Sequence, residues 1–223
     1  MNLLIRLLLA WILLMPLYPE IEEPVQPPPT PPHEPPTATP IVSEPVVFEP
    51  VVPTFIPRSY LFVGNSMVTG LKNVGLNNLY ANKTGISLKE LNDKLDTLLP
   101  NGAYNAVVIE MGSNELGLYS HEEFVSEYVE LIEKLGAAYT YCLSIPPVNE
   151  SKSVYGARIN NQNVVLYNSY VQEVCSRTGS TYVDCSEFFG STLKSSWTGD
   201  GLHLHDDIYH DWHQWIMDTI GDK

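Results

Sequence analysis

The chain is short of cysteine, of positive charge and, over most of its length, of proline. Its three cysteines, Cys142, Cys175 and Cys185, are an odd number and make no disulfide framework. Cys175 closes a helical pattern and Cys185 follows the next strand pattern, so these two are one candidate pair. Buried free thiols are the other reading, since cysteine packs as a small apolar group. No Cys-x-x-Cys pair occurs, which argues against a structural zinc site. Twelve Lys and Arg face 26 Asp and Glu, a formal net charge of −14. The part up to Arg58 has two basic and six acidic residues, and the rest has ten and twenty, so both parts are acidic. Such a surface repels phosphate backbones and anionic headgroups, which excludes nucleic acid as a natural partner. It suits a neutral substrate, or else serves solubility alone.

Fifteen of the 18 prolines lie between Pro16 and Pro57. The 165 residues after Arg58 are nearly free of proline and are enough for one domain with a proper core. Residues 1–18 are apolar apart from Asn2, Arg6 and Pro16, a pattern expected of a signal peptide or a short membrane anchor. No small-x-small cleavage site and no lipobox cysteine is present, which favours an uncleaved anchor. Residues 19–58 are rich in Pro, Glu, Thr and Val, and read as a disordered linker with a polyproline tract at Pro27–Pro32. A semi-rigid spacer of that kind holds a domain up to about 100 Å from its anchor. The folded domain is placed at 59–223, outside the cytoplasm and as a monomer.

Within that domain strand and helix patterns alternate. Strands are expected at Tyr60–Val63, Leu79–Ala81, Ala103–Ile109, Ala138–Ile145 and Thr181–Val183. Helices are expected at Ser66–Leu71, Ser87–Leu99, His121–Leu135, Asn160–Ser176 and Asp206–Ile220. Ser87 and Glu90 have the spacing of a capping box. The alternation implies an α/β fold with a parallel sheet covered by helices on both faces. Sites in such sheets form beyond the carboxyl ends of the strands.

Candidate chemistry falls at those ends. Gly64-Asn65-Ser66 follows the first strand and opens a helix, whose leading N–H groups are available to a developing anion. Gly85 lies between the second strand and second helix, where a missing side chain lets backbone N–H approach a substrate. Asn114, in Gly112-Ser113-Asn114, follows the third strand and carries an amide able to donate to an oxyanion. Asp200-Gly201-Leu202-His203 lets a carboxylate hold an imidazole in one tautomer. Each signal alone has a plainer reading: a helix cap for Ser66, an ordinary loop glycine for Gly85, a turn for Asn114, a loop histidine for His203. His210 and His213 would lie one helical turn apart, but no third well-placed ligand accompanies them, so no metal is assigned.

Four blocks in this order, Gly64-Asn65-Ser66, Gly85, Gly112-x-Asn114 and Asp200-x-x-His203, resemble those of the SGNH (GDSL-type) hydrolases. The resemblance covers nearly all of Tyr60–Ile220. It implies a flavodoxin-like three-layer α/β/α sandwich around a five-stranded parallel sheet, and ester hydrolysis through an acyl-serine with no cofactor. By position, Ser66 would be the nucleophile, His203 the general base and Asp200 its orienting carboxylate. The N–H groups of Ser66 and Gly85 with the Asn114 amide would form the oxyanion hole. Two positions depart from the family, which usually has Asp where this chain has Asn65 and Glu115.

The expected activity is removal of a short acyl group, acetyl foremost, from carbohydrate. The loop Pro146–Ile159 is polar, and its Asn149, Lys152, Tyr155 and Arg158 are candidate substrate contacts. A lipid ester is less favoured because no long hydrophobic lid is evident. An envelope O-acyltransferase would use the same residues with a sugar hydroxyl in place of water. A non-catalytic binding module would have no need of all five site residues.

Overall fold

The computed structural model describes residues 58–74 and 77–221. The expected anchor at 1–18 and almost all of the linker lie outside the described residues. Among the described residues no helix is long and apolar enough to cross a membrane. Arg58, assigned above to the linker, packs on the domain: its guanidinium donates to Ile220 O at 2.8 Å and lies 4.4 Å from the Tyr139 ring centroid.

Five strands, β1 (Tyr60–Gly64), β2 (Leu79–Asn82), β3 (Ala106–Glu110), β4 (Tyr139–Leu143) and β5 (Thr181–Val183), form one sheet in the order β2-β1-β3-β4-β5. Every pairing is parallel. This is the flavodoxin-like order, and the expected α/β/α sandwich is present. The central β3, Ala-Val-Val-Ile-Glu, is buried at all five positions, as a strand covered on both faces must be.

Helices α1 (Ser66–Asn73), α2 (Leu88–Leu98), α3 (His121–Leu135), α4 (Asn161–Thr178), α5 (Ser186–Phe189) and α6 (Asp206–Ile220) cover the sheet. Alternation along the strands sorts them. Leu61, Val63, Val107, Ile109 and Cys142 pack with α2, α3 and α4 on one face. Phe62, Val108, Tyr141, Leu143 and Val183 pack with α1, α5 and α6 on the other. Phe124 of α3 is fully buried among Tyr128, Tyr167 and Tyr170, a site where truncation to alanine typically costs about 3–5 kcal/mol.

Three expectations are corrected here. Cys175 and Cys185 belong to opposite faces of the sheet and do not pair; all three cysteines are free, and Cys175 neighbours Cys142. Ser87 does cap α2 by accepting from Glu90 N–H at 3.2 Å, but the Glu90 carboxylate turns to Lys83 and Lys94 instead of closing a box. The complete capping box is Ser120 with Glu123, at the start of α3. The short α5 was not expected at all.

Candidate active site

The sheet order reverses direction at β1, whose neighbours are β2 and β3, the kind of switch point beyond whose strand ends sites form in such sheets. Ser66 leaves β1 as the first residue of α1. Asn65, fully buried, is the cap of that helix: its Oδ1 accepts the Met67 N–H at 2.9 Å. Ser66 is therefore free of the capping role that its position allowed. Its backbone N–H is one of the leading donors that a helix leaves without an intrahelical acceptor.

His203 comes to it from a small hairpin at the other end of the chain. Thr198 and Leu204 form an antiparallel bridge, and His205 N–H donates to Trp197 O at 2.9 Å, closing the loop that carries Asp200 and His203. His203 Nε2 lies 2.8 Å from Ser66 Oγ, and His203 Nδ1 lies 2.7 Å from Asp200 Oδ2. Asp200 Oδ1 accepts the N–H groups of Leu202 and His203 at 2.9 and 2.8 Å. Partial burial opposes ionisation of Asp200, but these donors and His203 outweigh it and hold the carboxyl well below the usual range. A hydroxyl, an imidazole and a carboxylate thus stand in line, an arrangement able to make an alcohol nucleophilic.

The remaining blocks are tied to that centre and to one another. Lys83 N–H donates to Gly64 O at 3.3 Å, and Asn82 Nδ2 donates to Thr69 Oγ1 of α1 at 2.7 Å. Gly85 occupies a turn closed by Ile86 N–H on Lys83 O, with φ +74°, a conformation natural to glycine. An added Cβ would meet nothing within 4 Å, so the face of Gly85 is open to a ligand. Asn114 follows β3 and spends one amide N–H on Ile86 O at 2.8 Å, which aims the amide and leaves its second hydrogen for another acceptor.

Glu115, one of the two departures from the family pattern, has a structural task. It is fully buried and its Oε1 accepts Leu88 N–H at 2.8 Å, at the start of α2. Burial pushes its carboxyl up to about 7, against backbone donors and Arg158. Behind it, burial and the nearby Glu115 push the Glu110 carboxyl up to about 8, with Ser113 opposing.

No protein-family model matches the sequence, and no curated protein matches it. Solved structures do. A structure from Streptococcus pneumoniae named for platelet activating factor shares 24% identity over 75% of this chain and 86% of that one, with a TM-score of 0.63. A GDSL-like lipase from Bacteroides thetaiotaomicron shares 15% identity over 73% and 86%, with a TM-score of 0.61. The fold is that of the SGNH (GDSL-type) hydrolases. An acetylxylan esterase from Geobacillus stearothermophilus also has it, at 14% identity over 74% of this chain and 95% of that one, with a TM-score of 0.54.

On this SGNH scaffold Ser66, Gly85 and Asn114 follow the carboxyl ends of β1, β2 and β3, and the hairpin brings His203 and Asp200 to Ser66, but the loop 146–159 differs from expectation. The four residues nominated there as substrate contacts are engaged with the protein itself. Asn149 is buried; its N–H donates to Gly201 O at 2.8 Å and its amide to Leu193 O and Ser195 Oγ. Lys152 Nζ donates to Ser195 O and Thr198 O at 2.6 and 3.0 Å. Tyr155 Oη donates to Asp200 Oδ2 at 2.7 Å. Arg158 Nη1 donates to the carbonyls of Asn114 and Leu116. The loop is a strap that joins the Asp200–His203 hairpin to the Asn114 loop. These partners lie tens of residues away in sequence, so no local pattern announced them.

The other histidines are not brought together. His213 is buried, stacked on Phe62 and within 2.8 Å of Asn78 Nδ2, and burial holds it down at about 4. His210 lies on the exposed side of α6. Among the described residues no group of three His, Cys, Asp or Glu is placed to hold a metal ion.

Proposed function

We propose that this chain is a serine esterase that removes short acyl groups, acetyl foremost, from carbohydrate through an acyl-serine. The observation that carries the reading is the unbroken contact from Ser66 Oγ to His203 Nε2 at 2.8 Å and from His203 Nδ1 to Asp200 Oδ2 at 2.7 Å. In the first half-reaction His203 Nε2 takes the Ser66 proton as Oγ attacks the ester carbonyl. The oxyanion is met by the N–H groups of Ser66 and Gly85 and by the free hydrogen of the Asn114 amide. Collapse expels the alcohol, which takes the proton from His203, and leaves the acyl group on Ser66. Water, activated by the same imidazole, attacks that ester and releases the acid.

The acidic chain, at −14, favours a neutral substrate such as an acylated sugar over an anionic lipid surface. The acetylxylan esterase of the same fold adds to that preference. The apolar segment and proline-rich spacer at 1–58 are consistent with work outside the cytoplasm, at the end of a tether.

The test is hydrolysis of nitrophenyl acetate, butyrate and decanoate, and acetate release from acetylated xylan, by the full chain and its Ser66→Ala variant. Turnover that falls with acyl length and vanishes with Ser66 is expected. Turnover that survives Ser66→Ala contradicts the assignment, and a preference for decanoate contradicts the short-acyl substrate.

A further inference from the structure

We propose that Tyr155 is a positioning residue of the acid–base pair: its hydroxyl fixes the Asp200 carboxylate and keeps the hydrogen of His203 on Nδ1, which leaves Nε2 to take the Ser66 proton. The inference rests on the hydrolase reading above and adds a residue that none of the four sequence blocks contains.

The geometry leaves little choice of hydrogen placement. Asp200 Oδ1 is occupied by Leu202 N–H, His203 N–H and, at 3.3 Å, Thr198 Oγ1. Oδ2 is shared by the Tyr155 hydroxyl and the imidazole, each at 2.7 Å. An ionised carboxylate only accepts, so the single hydroxyl hydrogen of Tyr155 must go to Oδ2. The Tyr155 oxygen, 3.1 Å from His203 Nδ1, then faces that nitrogen with lone pairs alone. Nδ1 is thus met by two acceptors and by no donor, a surrounding that admits only the N–H form there. Burial and the Asp200 carboxylate push the phenol up to about 12, so the hydroxyl keeps its hydrogen throughout the neutral range.

Tyr155 is itself held in place. Its ring meets the imidazole edge-on, with centroids 5.8 Å apart and planes at 78°. On either side in the strap, Lys152 is fastened to the carbonyls of Ser195 and Thr198, and Arg158 to those of Asn114 and Leu116. Of the other groups near the pair, Lys152 of the strap is taken up by the carbonyls of Ser195 and Thr198, Tyr209 of α6 feels the Asp200 charge, and Ser66 of α1 faces Nε2. None of them bonds Nδ1 among the described residues, so Tyr155 is the one group besides Asp200 that acts there.

Tyr155→Phe keeps the ring and removes the hydroxyl. Two measurements on the full chain decide the matter: kcat and KM on nitrophenyl acetate, and the imidazole ¹⁵N signals of His203. The inference predicts kcat lower by about tenfold with KM unchanged, less than when the carboxylate itself is lost, because Asp200 still favours the right tautomer. It also predicts that the two ¹⁵N signals move toward each other as the second tautomer becomes populated. Tyr155→Gln returns an N–H donor without the ring and is expected to regain part of the loss; a merely structural tyrosine would make Gln worse than Phe. Wild-type kcat and unshifted ¹⁵N signals in Tyr155→Phe would overturn the inference. Absence of any esterase activity in the unmodified chain would instead sink the hydrolase reading, and the ¹⁵N comparison would still decide the role of Tyr155.

Discussion

Asn114→Ala removes two interactions that the structure separates. One amide N–H donates to Ile86 O at 2.8 Å, a bond between the third and second site loops. The other hydrogen is the one assigned to the oxyanion. Loss of a neutral bond such as that to Ile86 costs about 1 kcal/mol of stability. For a domain of this size that lowers the melting midpoint by about 2–4 °C. Loss of an oxyanion donor costs about 2.7–4 kcal/mol of transition-state stabilisation, a fall of roughly 10²–10³ in kcat. The two costs are read independently, kcat and KM on nitrophenyl acetate and the melting midpoint by circular dichroism. A drop in kcat of a hundredfold or more, with KM nearly constant and a melting shift of a few degrees, is expected. If the melting midpoint falls as stated while kcat stays within about fivefold of the unmodified chain, the amide is an anchor only and the oxyanion assignment is wrong.

Four further outcomes follow from the same geometry. Glu110 is raised from 4.5 to about 8 and Glu115 to about 7, so the stability they lend is complete below 4.5 and is lost as pH climbs through those values; Glu110→Gln should flatten the fall in urea midpoint between pH 5 and 8, and an unchanged slope would contradict the shift. His213, lowered from 6.5 to about 4, acts with the opposite sign and costs stability as pH drops below 6.5, which His213→Gln should lessen. Gly201 has φ +85°, and a Cβ there would lie 2.5 Å from Ser153 N and 2.6 Å from Asn149 O; Gly201→Ala should destabilise by about 2 kcal/mol or more and depress kcat by prising the strap from the hairpin, whereas a neutral effect on both would refute that coupling. Asn65→Ala removes the acceptor for Met67 N–H and should cost about 1 kcal/mol, while Asn65→Asp keeps that acceptor and should alter turnover only modestly; an inert chain switched on by Asn65→Asp would show that the departure from the family pattern had silenced it.

How far the sequence carried differs by element, and the reasons are physical. The strand at β3 was legible as a continuous apolar run because both its faces are buried. Helix α3 was legible because its apolar residues keep helical spacing, and Ser120 and Gly136 cap its observed ends. Helix α5 has four residues, too few to show a period, and was missed. The Asp200–His203 contact was legible in their spacing on one loop, and Ser66 was joined to it by the order of the four blocks and their resemblance to the SGNH hydrolases. Tyr155 was not legible in its observed place: its partner Asp200 lies 45 residues downstream, and a tyrosine in a polar loop reads equally well as a ligand contact. The cap of α1 was read at Ser66, and only the observed bond from Met67 N–H to Asn65 Oδ1 moves it one residue back.

A fluorophosphonate probe reacts with a hydroxyl only when a neighbouring base has made it nucleophilic, so it reads the 2.8 Å contact between Ser66 and His203 before any substrate is known. The full chain should be labelled at one site, mapped by mass spectrometry to the peptide bearing Ser66, and labelling should disappear in Ser66→Ala and in His203→Ala. A chain that stays folded yet takes no label, or takes it equally well without His203, would contradict the activated serine on which the account depends.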